Sequence, residues 1–191
     1  MSGTYAPARA SKTDEEDKNF WSTRWETFHD AQRLYGRRFQ FDVAAEPLTA
    51  KCDDFYCLAR GEDAMVLPWP ADWWCNPPFD LKVEFIRRAR YHQQMGHGGM
   101  MLIPYEPCSN WWRENLSEDI IEYTPDGRIG FYERDGKTRK SGVNFPSVLI
   151  CFPVHKIGPA IRVPYFRTPT PRPAKKLSLK PNRKRTRKVK K

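Results

Sequence analysis

Apolar and polar residues alternate along the chain in two rhythms. In "NFWSTRWETFHDAQRLYG" the rings of Trp21, Trp25 and Phe28 recur at spacings of four and three, one face of a helix. Ser22 or Thr23 is placed to cap that helix and Gly36 to end it, so ordered structure is expected from about Phe20. In "RRFQFDVAAEP" the rhythm shortens to two, with Phe39, Phe41 and Val43 alternating with polar residues, which predicts a strand ending at Asp42–Ala45. The segment "LTAKCDDFYCLARGEDAMVLPWPADWWC" is broken by Gly61, Pro68 and Pro70, and accommodates one short helix and one or two short strands.

The helical rhythm returns in "DLKVEFIRRARYHQQMG", which sets Leu81, Phe85, Ala89 and His92 on one face, Arg87, Arg88 and Arg90 largely off it, and Asp80 as a cap. "HGGMMLIPYEP" reads as a glycine turn into a buried strand, because Met100 to Ile103 is a continuous apolar run. "SNWWRENLS" suits a short helix. "IIEYTPDGRIGFYERDGKTRKSGVNFPSVLICFPV" suits strands joined by turns at Asp126–Gly127 and around Asp135–Gly136. No internal repeat is present. The order predicts an α/β fold with a mostly parallel sheet finished by an antiparallel hairpin.

Composition narrows this picture. A chain of 191 residues, 39% hydrophobic, suits one domain with tails, and its 17 prolines argue against a helical bundle. The net charge of +10 is unevenly placed: residues 172–191 hold eleven Lys/Arg and no Asp/Glu, so the rest of the chain is close to neutral. That tail is expected to be disordered in isolation and to seek polyanions, with Arg183, Lys184, Arg185, Arg187 and Lys188 at its densest point. The expected layout is a disordered 1–19, a domain over 20–165 and a disordered basic tail over 166–191. The first nineteen residues lack the apolar core of a signal peptide and no run is long enough to span a membrane, which predicts a cytoplasmic protein. Five scattered cysteines and two histidines, His92 and His97, lack metal-ligand spacing, so reduced thiols and no metal are expected.

The chemistry is concentrated in "WWCNPPFD". An exocyclic amino group on a base is a poor nucleophile, because its lone pair is delocalised into the ring. The Asn76 side-chain oxygen and the Pro77 carbonyl are suited to accept one N–H each, with Pro77 and Pro78 holding both rigid and Phe79 stacking on a flipped base. A rigid turn with Phe79 in the core is the other reading of the same string.

The order "FWSTR", "FQFDVAAE", "AKCDDFY", "EDAMVLPW", "WWCNPPF", "GMMLIPYEP", "RIGFYE" and "SVLICFP" resembles the phage-type DNA N6-adenine methyltransferases related to Dam, over roughly residues 20 to 153. The resemblance implies a Rossmann-like methyltransferase fold, S-adenosylmethionine as methyl donor and adenine in double-stranded DNA as acceptor, in a phage-encoded enzyme of the host cytoplasm. It makes Asn76, Pro77, Pro78 and Phe79 the catalytic loop. It assigns cofactor contacts to Trp21 and Thr23, to Asp42, Ala44 and Ala45, and to Asp63, facing the cofactor's adenine. Arg24 stands where the family usually has proline, and the first-strand loop has no glycine-rich signature. Only 33 residues separate Asp42 from Asn76, so shortened elements are expected between them. For DNA contact the chain offers the loop "ERDGKTRKSG", with Lys137, Arg139 and Lys140, or else a solvated hairpin tip; the arginines of the 80–95 helix are a further candidate. Cytosine N4, an RNA base, or a non-catalytic nucleic-acid-binding role on the same fold remain alternatives, and the oligomeric state is open.

Overall fold

A computed structural model describes residues 18–169; the densest part of the basic tail, Arg183 to Lys188, lies outside the described residues. The order is β1 (Ser22–Thr23), α1 (Trp25–Tyr35), β2 (Phe41–Asp42), β3 (Asp54–Phe55), β4 (Trp73–Cys75), α2 (Lys82–Gln94), β5 (Gly99–Pro104), α3 (Asn110–Asn115), β6 (Ile121–Pro125), β7 (Phe131–Tyr132), β8 (Ser147–Phe152) and β9 (Ile161–Tyr165). Seven strands form one sheet in the order β3-β2-β4-β5-β8-β6-β9, and β1 pairs with β7 in a separate antiparallel ribbon. Within the large sheet only β8 runs against its neighbours. The mostly parallel Rossmann-like α/β sheet is therefore present. Its antiparallel strand is β8, which pairs with both β5 and β6; β6 leads to β8 across β7, and β9 then adds a parallel strand outside β6.

The sheet is buried on both faces. Val43, Trp73, Cys75, Met101, Ile103, Val148, Ile150 and Phe152 pack into one cluster with Phe85 and Ile86 of α2 and Trp112 of α3. Trp74, Met100, Leu102, Leu149 and Cys151 point the other way, into a cluster with Phe28 of α1, Trp21 and Phe131. Strict alternation thus hides inside continuous apolar runs, as expected of strands covered twice. Trp73 faces Gly99 across the β4–β5 pair, and a Cβ on that glycine would come within 2.2 Å of the indole. Trp73 also donates to the His97 carbonyl at 3.0 Å.

The helix expectations hold with local corrections. Gly36 ends α1 in the left-handed conformation, φ 79°, where glycine carries no steric penalty. Ser22 and Thr23 do not cap α1: they form β1, paired with Tyr132 and Phe131, and Arg24 occupies the cap position without a side-chain bond. Asp80 is not the cap of α2 either. A 3₁₀ turn over Phe79–Leu81 precedes the helix, Asp80 exchanges hydrogen bonds with Asn19, and Leu81 is exposed. Ser109 does cap α3, accepting from the Trp112 N–H. Between β2 and β4 the elements are short, as expected: β3 and a 3₁₀ turn over Leu58–Arg60. Past β9, Arg167 bonds Asp126 and the Arg128 carbonyl, and Thr168 bonds the buried Asp30.

Candidate functional site

Chain direction reverses between β2 and β4. From β2 the chain moves outward to β3, then returns to β4 on the other side and continues to β5. A crevice outside the carboxyl ends of the strands at such a switch point is where open α/β sheets hold ligands. A cavity of about 200 Å³ lies there, reached by residues that follow β2, β3 and β4 and by the β1 segment. Trp21, Thr23, Asp42, Ala44, Ala45 and Asp63 all line it, and so do Asn76 and Pro78. Pro77 is buried and Phe79 half-buried, and neither is among the residues that line it.

The loop after β4 is rigid by composition. Trp73, Trp74 and Cys75 are fully buried and seat its base. Pro78 sits at φ −52°, ψ 134°, and the Leu81 N–H closes the following turn on its carbonyl. Asn76 Nδ2 donates to the Trp21 carbonyl at 2.8 Å. Because a carbonyl only accepts, that bond fixes which way the amide faces, and Oδ1 is left as the acceptor. The half-buried Phe79 belongs to a group of rings with Trp21, Phe131 and Phe145, at centroid distances of 6.1, 6.1 and 5.1 Å. Trp21 itself stacks on Phe145.

The loop after β2 is organised by Asp42. Its buried carboxylate accepts from the Ala44 N–H at 3.3 Å and the Lys51 N–H at 3.0 Å. Burial pushes its pKa up to about 6, and the two N–H donors and the Lys51 charge offset part of the rise. Asp63 accepts from the Met65 N–H at 2.8 Å and so shapes the next wall segment. Lys51, a buried lysine on the cavity wall, stands inside the quoted "AKCDDFY" without being marked by its sequence. Nothing in its local pattern signals burial, because its cover, Trp25, is 26 residues away.

The basic groups outside the tail divide. Lys137 and Arg139 are exposed on the segment after β7, Arg139 with Glu26 3.8 Å away, whereas Lys140 lies over the Trp21 ring with Glu133 3.7 Å away. Arg134 grips Glu46 of the β2 loop at 2.9 Å, so this segment touches the cavity wall. On α2, Arg87 is exposed, but Arg88 donates to the Val66 and Leu67 carbonyls and Arg90 to Gln93 and the Asp119 carbonyl. The two histidines bracket Trp69: its N–H donates to His92 Nε2, and its carbonyl pairs with His97 Nδ1. Cys75 and Cys151 are buried thiols with pKa values pushed up by desolvation, and among the described residues no cluster could hold a metal. Nor, among them, is any helix long and apolar enough to cross a membrane.

Comparison with known proteins agrees with this geometry. The family model for DNA N-6-adenine-methyltransferase (Dam) matches residues 10–180. The chain is 26% identical over 148 residues to the DNA N-6-adenine-methyltransferase of Haemophilus phage HP1, covering 74% of this chain and 83% of that protein. It is 27% identical over 165 residues to the enzyme of the same name from Escherichia phage T1, covering 74% of this chain and 65% of that one. A match of this extent, on a fold whose switch-point cavity is lined by Asn76 and Pro78, leads to one conclusion: the chain belongs to the DNA N-6-adenine-methyltransferase (Dam) family and is an enzyme.

Proposed function

We propose that the protein transfers a methyl group from S-adenosylmethionine to the N6 amino group of adenine in double-stranded DNA, as a phage-encoded enzyme of the host cytoplasm. The observation that carries this reading is the bond from Asn76 Nδ2 to the Trp21 carbonyl, which leaves Oδ1 as an acceptor at the edge of the cavity. The cavity suits the methyl donor on two counts. Its wall carries Asp42 and Asp63 against Lys51, with Glu46 paired to Arg134 and Glu62 to Arg60, an acidic excess that favours a sulfonium. It also includes buried hydroxyls, Ser22 Oγ and Thr23 Oγ1, that lack protein partners. When bound, S-adenosylmethionine supplies a methyl carbon on a positively charged sulfur, and the C–S bonding pair stays with sulfur as the N–C bond forms.

The protein's part is positioning. Asn76 Oδ1 and the Pro77 carbonyl accept the two amino N–H bonds, which turns the nitrogen lone pair out of conjugation and toward the cavity. The prolines fix these acceptors before the base arrives, so no reorganisation is needed at the moment of reaction. The accessible side of Phe79 stacks on the flipped base, a contact of about 1–3 kcal/mol. The proton released from the methylated nitrogen leaves to water. Trp21 links the two halves of the site: its carbonyl orients Asn76 and its ring backs Phe79. The decisive variant is Asn76→Ala, which is expected to lower the single-turnover methylation rate by about 100-fold or more. Undiminished transfer to duplex DNA would remove Asn76 from the chemistry.

A further inference from the structure

A stiff loop is aimed only if both of its ends are held. Pro77 and Pro78 restrict the torsions within the Asn76–Phe79 loop, yet neither has an N–H with which to tie it to a neighbour. The ties come from one short stretch of chain, distant in sequence. At the near end Asn76 Nδ2 donates to the Trp21 carbonyl at 2.8 Å. At the far end Asn19 makes two bonds: its Nδ2 donates to Asp80 Oδ2 at 2.7 Å, and its Oδ1 accepts the Asp80 N–H at 3.2 Å. That N–H belongs to the 3₁₀ turn over Phe79–Leu81, which its preceding residue, Pro78, does not cap, so Asn19 satisfies from a distance a donor that the turn leaves open.

The stretch that does the holding is itself fixed. Directly after Trp21, β1 pairs with β7 through Ser22 and Tyr132, and the Trp21 ring stacks on Phe145 and meets Phe79 edge-on. With Trp21 against Asn76 and Asn19 against Asp80, the two segments run antiparallel, and the Pro77 carbonyl and the Phe79 ring lie between the two ties. The Asn19–Asp80 pair is exposed, so water takes the place of either partner when it is lost, and the fold depends on it little. Its effect is on aim. A displacement of about 1 Å at a reacting group is enough to cost on the order of 100-fold in rate.

We propose that Asn19 and Asp80 are positioning residues for methyl transfer: their paired hydrogen bonds hold the far end of the loop, and so set where the Pro77 carbonyl and the Phe79 ring meet the base. The inference rests on the reading of the Asn76–Phe79 loop above and deepens it, because neither residue belongs to the site that the family resemblance implies.

Single-turnover methylation of a duplex DNA that the wild type modifies, at saturating S-adenosylmethionine and DNA, tests it in the full-length protein. Asn19→Ala and Asp80→Ala are each expected to slow the step about 10-fold, with the thermal midpoint close to that of the wild type. Asn19 also lines the cavity, so the dissociation constants for S-adenosylmethionine and DNA are measured alongside and are expected to stay close to wild type. Combining the two alanine substitutions costs no more than either alone, because both break the same link. Exchanging the pair, Asn19→Asp with Asp80→Asn, reverses donor and acceptor but keeps both hydrogen bonds, and restores the rate to within about threefold of the wild type. An alanine variant at the wild-type rate, an exchanged pair as slow as Asn19→Ala, or a loss confined to binding overturns the proposal. An alanine variant that does not fold overturns it as well, since the pair would then be a stabilising contact. Undiminished transfer by Asn76→Ala in the same assay, or no transfer by the wild type, defeats the underlying reading instead.

Discussion

The bond between Asn76 and Trp21 runs in one direction only, and this decides which atom of the side chain is left for the proposed chemistry. With its N–H held by a backbone carbonyl, the amide has an oxygen to present and no freedom to flip. Two other buried side chains make opposite statements about pH. Asp42 has its pKa raised to about 6, so between its unfolded value of 3.8 and pH 6 the folded state binds the extra proton and stability falls as pH rises. His92, stacked on Trp69, has its pKa lowered from 6.5 to about 4, chiefly by desolvation, so over 4 to 6.5 the unfolded state binds the extra proton and stability rises with pH. Each effect is on the order of a few kcal/mol, and they oppose each other in nearly the same window. Urea denaturation between pH 4 and 7 should therefore show Asp42→Asn gaining stability with pH, His92→Gln losing it, and the wild type lying between. Gln is chosen because its side-chain oxygen can accept the Trp69 N–H that His92 Nε2 accepts. Matching slopes in the two variants would show that these groups do not titrate as described.

The elements owe their placement to a few steric decisions, some readable in advance. Met100–Ile103 was legible as a buried strand because the run is wholly apolar, and "SNWWRENLS" as a short helix, which the structure shows as α3 capped by Ser109. The shortness of the pieces between Asp42 and Asn76 followed from simple spacing. What resisted reading was long-range. Ser22 and Thr23 look like helix caps locally and become a strand only because Phe131 and Tyr132 arrive from far along the chain. Leu81 fits the apolar face of α2 by count but is exposed, since a 3₁₀ turn shifts where the helix begins. At β4 and β5, Gly99 leaves the space in which Trp73 lies, on the strand that runs into the Asn76–Phe79 loop. Gly99→Ala is expected to destabilise the fold by about 1–3 kcal/mol or more through overpacking, read as a lowered thermal midpoint. An unchanged midpoint would mean that the indole has room to move.

At the scale of the whole molecule, charge is segregated from chemistry. The cavity, the acceptor pair and the ring cluster belong to the described domain, while eleven of the chain's 33 basic residues fall in its last twenty positions. The sequence made that asymmetry plain, together with six residues of the cavity wall; it left Lys51 hidden, because burial of a lysine is a property of the packed molecule. A tail that raises local DNA concentration acts by neutralising phosphates, so removal of residues 172–191 should weaken binding at low salt. It should also flatten log K against log salt by about 0.9 for each phosphate that the tail no longer neutralises. An unchanged slope would place the DNA-binding charge elsewhere, on segments such as the one carrying Lys137 and Arg139.

The central claim is that the Asn76 acceptor pair serves an adenine amino group in DNA. It is tested most directly by incubating the protein with isotopically labelled S-adenosylmethionine and duplex DNAs of defined sequence, then digesting the DNA and identifying the labelled nucleoside by mass spectrometry. Label is expected in N6-methyladenine, dependent on sequence context and abolished by Asn76→Ala. Label in N4-methylcytosine, label only when RNA replaces DNA, or no label under conditions where the methyl donor binds would contradict it.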